Sequence, residues 1–157
     1  MMPSSAVRKI ARIAALGFGS GKAPFAPGTF GTLAAIPLYL LLRELSPLAY
    51  ALVVIAMFAV GVWFCQVTEQ DLGEHDHSSI VWDEIVGYLI TMFMAPVGWG
   101  WMVLGFFLFR LFDIWKPFPI RTLERRIRGG FGNMLDDVLA ACYALAFIQI
   151  AAHFVSS

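Results

Sequence analysis

Three stretches of this sequence set acidic side chains where an apolar environment is expected. In Ile80-Val81-Trp82-Asp83-Glu84-Ile85-Val86-Gly87, two adjacent carboxylates stand inside an apolar run. A charge at the centre of a bilayer-spanning helix costs roughly 2.5–3.5 kcal/mol on insertion scales, so such residues usually have partners. Asp83 and Gly87 are four apart and share a helix face, where a glycine admits another backbone. Capping of a helix would use one of the two acids and leave the other unexplained. In Phe109-Arg110-Leu111-Phe112-Asp113-Ile114-Trp115-Lys116-Pro117, Arg110, Asp113 and Lys116 recur every three residues as plus, minus, plus. They could form a structural ion pair, or Arg110 and Lys116 could grip a phosphate while Asp113 faces a metal. In Gly129-Gly130-Phe131-Gly132-Asn133-Met134-Leu135-Asp136-Asp137, a glycine-rich turn is expected to lead into paired aspartates at the start of a helix. Two carboxylates so close repel unless a cation joins them, and magnesium takes oxygen ligands. A favourable interaction with the helix dipole is the simpler account of that pair.

A fourth stretch, Gly17-Phe18-Gly19-Ser20-Gly21-Lys22 followed by Pro27-Gly28-Thr29-Phe30-Gly31-Thr32, could offer backbone N–H groups and Lys22 to an oxyanion, with Thr29 capping the next helix. It is neither a P-loop nor a dinucleotide fingerprint. His75 and His77 form an H-x-H pair beside acids, but the third histidine, His153, is far along the chain, so a transition-metal site is not expected. Further on, Ile120, Leu123 and Ile127 fall on one side of a short helix, and Arg121, Arg125 and Arg128 on another. Such a helix suits the headgroup level of an anionic membrane, although solvated charge would read the same way.

The elements that must position these groups follow from composition. Of 157 residues, 59% are hydrophobic and 14% charged, with a mean hydropathy of +0.74. A soluble domain of this size leaves too much surface exposed to hide that much apolar area. Eleven basic and eleven acidic residues balance, which excludes a basic nucleic-acid binder, and two cysteines within apolar runs exclude a disulfide scaffold. Segments 45–68, 85–109 and 138–157 carry no charge over 24, 25 and 20 residues. A spanning helix needs about 20. Leu48–Cys65 and Val138–Val155 therefore read as spans, and Ile80–Trp115 as a hairpin of two helices broken at Pro96–Gly100. Thr29–Leu42 reads as a short, Pro37-kinked or re-entrant helix. The expectation is a single all-α, multi-pass membrane bundle of about five hydrophobic helices. Residues 5–16 add an interfacial helix, with Val7, Ile10, Ala11 and Ala14 turned away from Arg8 and Arg12. Arg12 interrupts the apolar stretch, so no signal peptide is expected.

Alternation of five helices places Arg8, Lys9, Arg12, Lys22, Lys116, Arg121, Arg125, Arg126 and Arg128 on one side and Arg43 alone on the other. That asymmetry predicts a cytoplasmic first side. The acids follow it: all aspartates, with Glu69, Glu74, Glu84 and Glu124, fall at this side, and only Glu44 lies opposite. Topology does not demand this of acids. Either the outer turns are too short for charge, or the cytoplasmic face carries a polyanionic site.

The four motifs, in this order over roughly residues 14–150, resemble the phosphatidylglycerophosphatase A family of bacterial inner-membrane lipid phosphatases. They are GFGSGKAPFAPGTFGT, DLGEHDHSSIVWDEIVG, FRLFDIWKPFPI and GGFGNMLDD. One departure is Asn133, where an apolar residue is expected before Met134. The resemblance implies Mg2+-dependent hydrolysis of phosphatidylglycerophosphate to phosphatidylglycerol and phosphate. It carries over Asp71, Asp76, Asp83, Glu84, Arg110, Asp113, Lys116, Asp136 and Asp137 as catalytic candidates. Of these, Asp83, Glu84, Asp113, Asp136 and Asp137 are the expected metal ligands. Gly19, Ser20, Gly21, Lys22, Thr29, Arg110 and Lys116 are expected to bind the substrate phosphate, and Arg121, Arg125 and Arg128 anionic lipid headgroups. With no covalent nucleophile evident, direct attack by metal-bound water is expected. The rival reading is a multi-pass transporter or channel with intramembrane acids, but these acids gather at one face and mark no path across.

Overall fold

A computed structural model describes residues 4–73 and 77–156. Among them the chain forms seven α-helices and no strand. The helices are α1 (Ser5–Ala15), α2 (Pro27–Leu42), α3 (Pro47–Leu72), α4 (Trp82–Thr91), α5 (Trp99–Trp115), α6 (Ile120–Glu124) and α7 (Gly130–Ser156). A 3₁₀ turn over Gly17–Lys22 joins α1 to α2.

Two of these helices, α3 and α7, are long and apolar enough to cross a membrane. Local signals set the limits of α3. The Ser46 side chain accepts from the Ala49 N–H at 3.3 Å, Pro47 occupies the first turn, and Gly73 ends the helix at φ +71°. Its 26 residues reach about 39 Å at 1.5 Å each, more than the roughly 30 Å of hydrocarbon. Its last polar turns can therefore stand clear of the apolar layer.

The hairpin breaks earlier than expected. Helix α4 stops at Thr91 and α5 starts at Trp99, and the break contains Met94 and Gly98 at φ +55° and +145°. Those backbone angles end α4 before the Pro96–Gly100 signal is reached. With only 10 residues, α4 is too short to cross a bilayer and lies at the centre of the bundle, packed on α7, α2 and α3. Val86, Tyr88 and Leu89 are fully buried. Buried polar groups are satisfied on backbone carbonyls: the Tyr50 hydroxyl donates to Leu89 at 2.6 Å, Tyr88 to Met102 at 3.0 Å, and the Trp82 indole to Met57 at 3.0 Å.

The glycine-rich segment before Asp136 is also helical, where a turn was expected. Gly129 takes the turn at φ +80°, and α7 begins at Gly130. The reason is close docking on α3. A Cβ on Gly130 would lie 2.1 Å from the Val62 carbonyl oxygen and 2.5 Å from the Gln66 nitrogen. The Gln66 side chain accepts from the Gly130 N–H at 3.0 Å. Asp136 and Asp137 thus sit nearly two turns inside α7, rather than at its start.

The N-terminal helix α1 lies along α3, with the Ser4 hydroxyl accepting from Val7. Ala11, Ala14 and Ala15 are buried, while Val7, Ile10 and Ile13 remain exposed. The apolar side expected for it is therefore divided between a small-residue packing face and an outward-facing stripe. Helix α6 is one turn only, and Ile127 lies beyond it.

Because no side chain fits between α7 and α3, Gly130→Ala is expected to destabilise the protein by about 1–3 kcal/mol, the usual range for overpacking. Gly100→Ala, on an open face of α5 with nothing near its Cβ, is the matched control. Thermal unfolding in detergent checks the pair. Equal melting temperatures would contradict the packing account.

Candidate functional site

Four helix ends converge on one cavity of about 280 Å³. The first residues of α2 supply Pro27 and Gly28, and Ser78 and Ile80 come from the loop before α4. The first turn of α4 supplies Asp83 and Glu84, the end of α5 Arg110, Asp113 and Lys116, and α7 Asp136 and Asp137. Five carboxylates and two cations line it, a formal excess of three negative charges.

Oxygen atoms of Asp83, Glu84 and Asp137 all lie within 4.8 Å of one another. At that separation two carboxylates repel by at least about 3.5 kcal/mol for an effective dielectric constant near 20. Glu84 Oε2 and Asp137 Oδ2 are buried and accept no hydrogen bond among the described residues. A donor set of oxygens alone, with two buried lone-pair sites open, fits a hard divalent cation and not a soft one. The three could hold such an ion together.

The other two carboxylates are engaged by the cations. Arg110 donates through Nη1 to Asp113 and approaches Glu84 Oε1 at 3.8 Å. Lys116 takes the left-handed conformation (φ +48°) just after α5, and its Nζ lies 2.6 Å from both Asp136 Oδ2 and Glu124 Oε1. Burial alone would lower the Lys116 pKa, but Asp136, and after it Glu124, hold it above the ordinary lysine value. The ammonium is therefore charged throughout the range in which proteins are handled.

Seven of the predicted residues meet here: Asp83, Glu84, Arg110, Asp113, Lys116, Asp136 and Asp137. Asp71 does not; it pairs with Arg8 of α1 at 2.6 Å. Asp76, like Glu74 and His75, lies outside the described residues. His77 Nδ1 accepts from the Ser79 N–H at 3.1 Å, which shapes the loop into α4. Gly19, Ser20, Gly21, Lys22 and Thr29 do not line the cavity. The 3₁₀ turn packs instead: the Ser20 hydroxyl donates to the Gly17 carbonyl, and a Cβ on Gly21 would lie 2.0 Å from the Ser79 carbonyl oxygen. Thr29 is inside α2, whose cap is Ala26 in the left-handed region. Arg121 and Arg125 line a neighbouring cavity, while Arg128 stands exposed outside it.

Two residues that the sequence reading noted take roles it did not assign to them. Gly28 lies against the Glu84–Arg110 pair, where a Cβ would meet Glu84 Oε1 at 2.3 Å and Arg110 Nη1 at 3.0 Å. Its position one residue after Pro27, at the entry to an apolar helix, was the available signal. Asn133 is buried and donates to Glu69 Oε1 of α3 at 3.0 Å. That bond ties α7 to α3 one turn before Asp136, and it accounts for the polar residue at a position expected to be apolar.

Comparison with known proteins bears on the same segments. A family model described as phosphatidylglycerophosphatase A matches residues 13–152. Phosphatidylglycerophosphatase A of Escherichia coli (strain K12) is 45% identical over 140 residues, spanning 88% of this chain and 81% of the relative. The protein of that name from Haemophilus influenzae is 48% identical over 136 residues, spanning 85% and 83%. A relative from Bacteroides thetaiotaomicron, 44% identical over 144 residues, carries a provisional name of a different kind, phosphatidylinositol-3-phosphatase. No solved structure matches the chain.

Lys116 ties α6 to α7 through two carboxylates, so its removal should strand Asp136. Lys116→Met is expected to lower stability by more than the roughly 0.2–1 kcal/mol of an exposed pair. Lys116→Met/Asp136→Asn should recover most of the loss, because the uncompensated charge is then gone. Denaturant unfolding of the four proteins of the cycle measures the coupling. Strict additivity would show that the two side chains do not depend on each other.

Proposed function

The chain belongs to the phosphatidylglycerophosphatase A family, and we propose that it removes the terminal phosphate of phosphatidylglycerophosphate with a divalent cation, Mg2+, at the cytoplasmic face of the inner membrane. The observation that carries the reading is the charge of the cavity. A phosphate monoester is itself strongly anionic and would be repelled by a surplus of three carboxylates. A bound divalent cation reconciles this lining with that substrate, and the family relationship supplies the substrate.

Asp83, Glu84 and Asp137 are the residues that would hold the cation, and Asp113 and Asp136 stand beside them, engaged by Arg110 and Lys116. When bound, magnesium neutralises phosphoryl oxygens and lowers the pKa of a coordinated water. Arg110 and Lys116 line the cavity and stabilise the charge that develops on the transferring phosphoryl group. Both are held by carboxylates before substrate arrives, so little reorganisation is needed at the moment of reaction. A cavity carboxylate accepts the proton of the attacking water. The water oxygen bonds to the terminal phosphorus as the bond from that phosphorus to the glycerol oxygen breaks, and the glycerol oxygen takes up the proton, releasing phosphatidylglycerol and inorganic phosphate. Trapping a phosphorylated aspartate, or phosphorylated Ser78, during turnover would overturn direct attack by water.

The membrane placement rests on the same polarity. Helices α2, α3, α4, α5 and α7 form the hydrophobic set, and the site gathers where α5 ends and α2 and α4 begin, against the second turn of α7. At the opposite end Arg43 pairs with Glu44 at 3.0 Å. Exposed Phe18, Phe25, Trp115 and Phe118 surround the site end, as aromatic belts do at a membrane interface. A transporter would need ionisable groups along a path across, which this distribution does not provide.

Phosphate release by the purified protein in detergent tests the reading. It should require Mg2+, stop with chelator, and fall by about 10²-fold or more in Asp83→Asn and Asp137→Asn. Full activity in both variants, folded by thermal unfolding, would refute the site. Phosphatidylinositol 3-phosphate assayed alongside tests the substrate, and faster turnover of that lipid would replace phosphatidylglycerophosphate.

Gly28→Ala should act without touching a charged group, since its Cβ would lie 2.3 Å from Glu84 Oε1. Displacement of the Glu84–Arg110 pair by about 1 Å is expected to lower kcat by about 10²-fold. Wild-type kcat in this variant would show that the pair tolerates the shift.

A further inference from the structure

Beside the acidic cavity lies a second of about 510 Å³ and opposite sign, walled by Trp115, Lys116, Arg121, Thr122, Arg125 and Arg126. No acid lines it. Lys116 belongs to both walls. A third, apolar groove of about 460 Å³ runs over the outer face of α5 between Phe107, Leu111 and Ile114. It shares Arg110 with the acidic cavity and Trp115 with the basic one. The three spaces thus meet pairwise at Arg110, Lys116 and Trp115, within two turns at one end of α5.

This inference rests on the reading above, in which the substrate is a diacyl lipid bearing two phosphates. One is a terminal monoester and the other a diester, separated by a single glycerol. We propose that the basic cavity is a subsite for the phosphodiester of the same molecule whose terminal phosphate enters the acidic cavity, with its acyl chains along the apolar groove. Arg121 is partly committed, donating to the Trp115 carbonyl at 3.1 Å. Arg125 and Arg126 form no ion pair among the described residues and are exposed. Their charge is available to an anion, and Arg offers paired donors that match phosphate oxygens. A bulk anionic lipid would meet these arginines equally well, but it would gain nothing from the wall shared with the acidic cavity. A substrate with two phosphates on a short linker gains from both cavities at once, as linked ligands do.

The test uses Arg125→Gln/Arg126→Gln in neutral detergent micelles, where the only anionic lipid is the substrate. KM for phosphatidylglycerophosphate should rise about tenfold, equivalent to about 1.4 kcal/mol, with kcat held within about twofold. Arg125→Lys/Arg126→Lys, which keeps the charge but loses the paired donors, should restore part of the KM. If the double Gln variant does not fold, the single variants carry the test, each with about a threefold rise. An unchanged KM in micelles overturns the subsite, including the case where an effect appears only in anionic vesicles. A wild-type protein inactive on this lipid would overturn the functional reading itself, whereas an active wild type with an indifferent variant overturns only the subsite.

Discussion

Like-charge repulsion among buried carboxylates is the constraint that the rest of this molecule answers. Five of them share one cavity, three with oxygens within 4.8 Å of one another. Cations built into the walls of such a site, or brought to it, relieve that repulsion. The chain builds in two. Arg110 engages Asp113 and Glu84, and Lys116 engages Asp136 and Glu124. Neither cation faces the center of the acidic trio from all sides, so Glu84 Oε2 and Asp137 Oδ2 keep lone pairs that no described residue fills. The protein's own charges thus hold the periphery of the cavity, and its middle is where the proposed cation would sit.

Holding such a cluster together needs a rigid frame, and the frame is made by backbone proximity more than by side-chain bulk. Glycine at 130 lets α7 touch α3, and glycine at 28 brings the start of α2 onto the Glu84–Arg110 pair. Each contact would be lost to a single methyl group. Polar ties lock the same seam: Gln66 to Gly130 and Asn133 to Glu69, both from α3 to α7. The length of α3 matters for the same reason. Because it outreaches the hydrocarbon, Glu69 and Asp71 can be polar without disrupting the apolar part of the bundle.

The parts of this design that were legible in the sequence are those signalled by charge in the wrong company. Asp83 and Glu84 inside an apolar run, the three-residue recurrence of Arg110, Asp113 and Lys116, and the Asp136–Asp137 pair all reach the cavity. Long apolar runs likewise marked α3 and α7. What the sequence could not resolve was which partner each acid takes. Asp113 and Asp136 look identical to Asp83 and Asp137 as residue types, and only the approach of α5 to α7 sorts them. Glycines were the harder case, because their meaning lies in what stands opposite. Of the stretch that looks like an anion cradle, the Gly17–Lys22 part packs on Ser79, whereas Gly28 borders the charged pair. Turn signals also mislead where a tertiary contact overrides them, as at Gly129–Gly132, where docking on α3 extends α7 by nearly two turns.

The zero net charge of the chain conceals a division of labour. By the alternation of helices expected from the sequence, every acid but Glu44 and every base but Arg43 falls on one side, which would strike the balance within one face of the protein. Within that face the signs separate again: an excess of acid in one cavity, only bases in the next, with Lys116 in the wall between them. A neutral surface would leave an anionic lipid indifferent to orientation. In the proposed reading, adjacent cavities of opposite sign would give it one preferred pose, each phosphate being attracted by a different means, directly by arginines in one cavity and through a cation in the other. The apolar groove on α5 opens beside both, so that pose keeps the acyl chains in the leaflet. An amphiphile can then be held at its polar end without being lifted out of the membrane, which is the arrangement that a water-soluble active site could not provide.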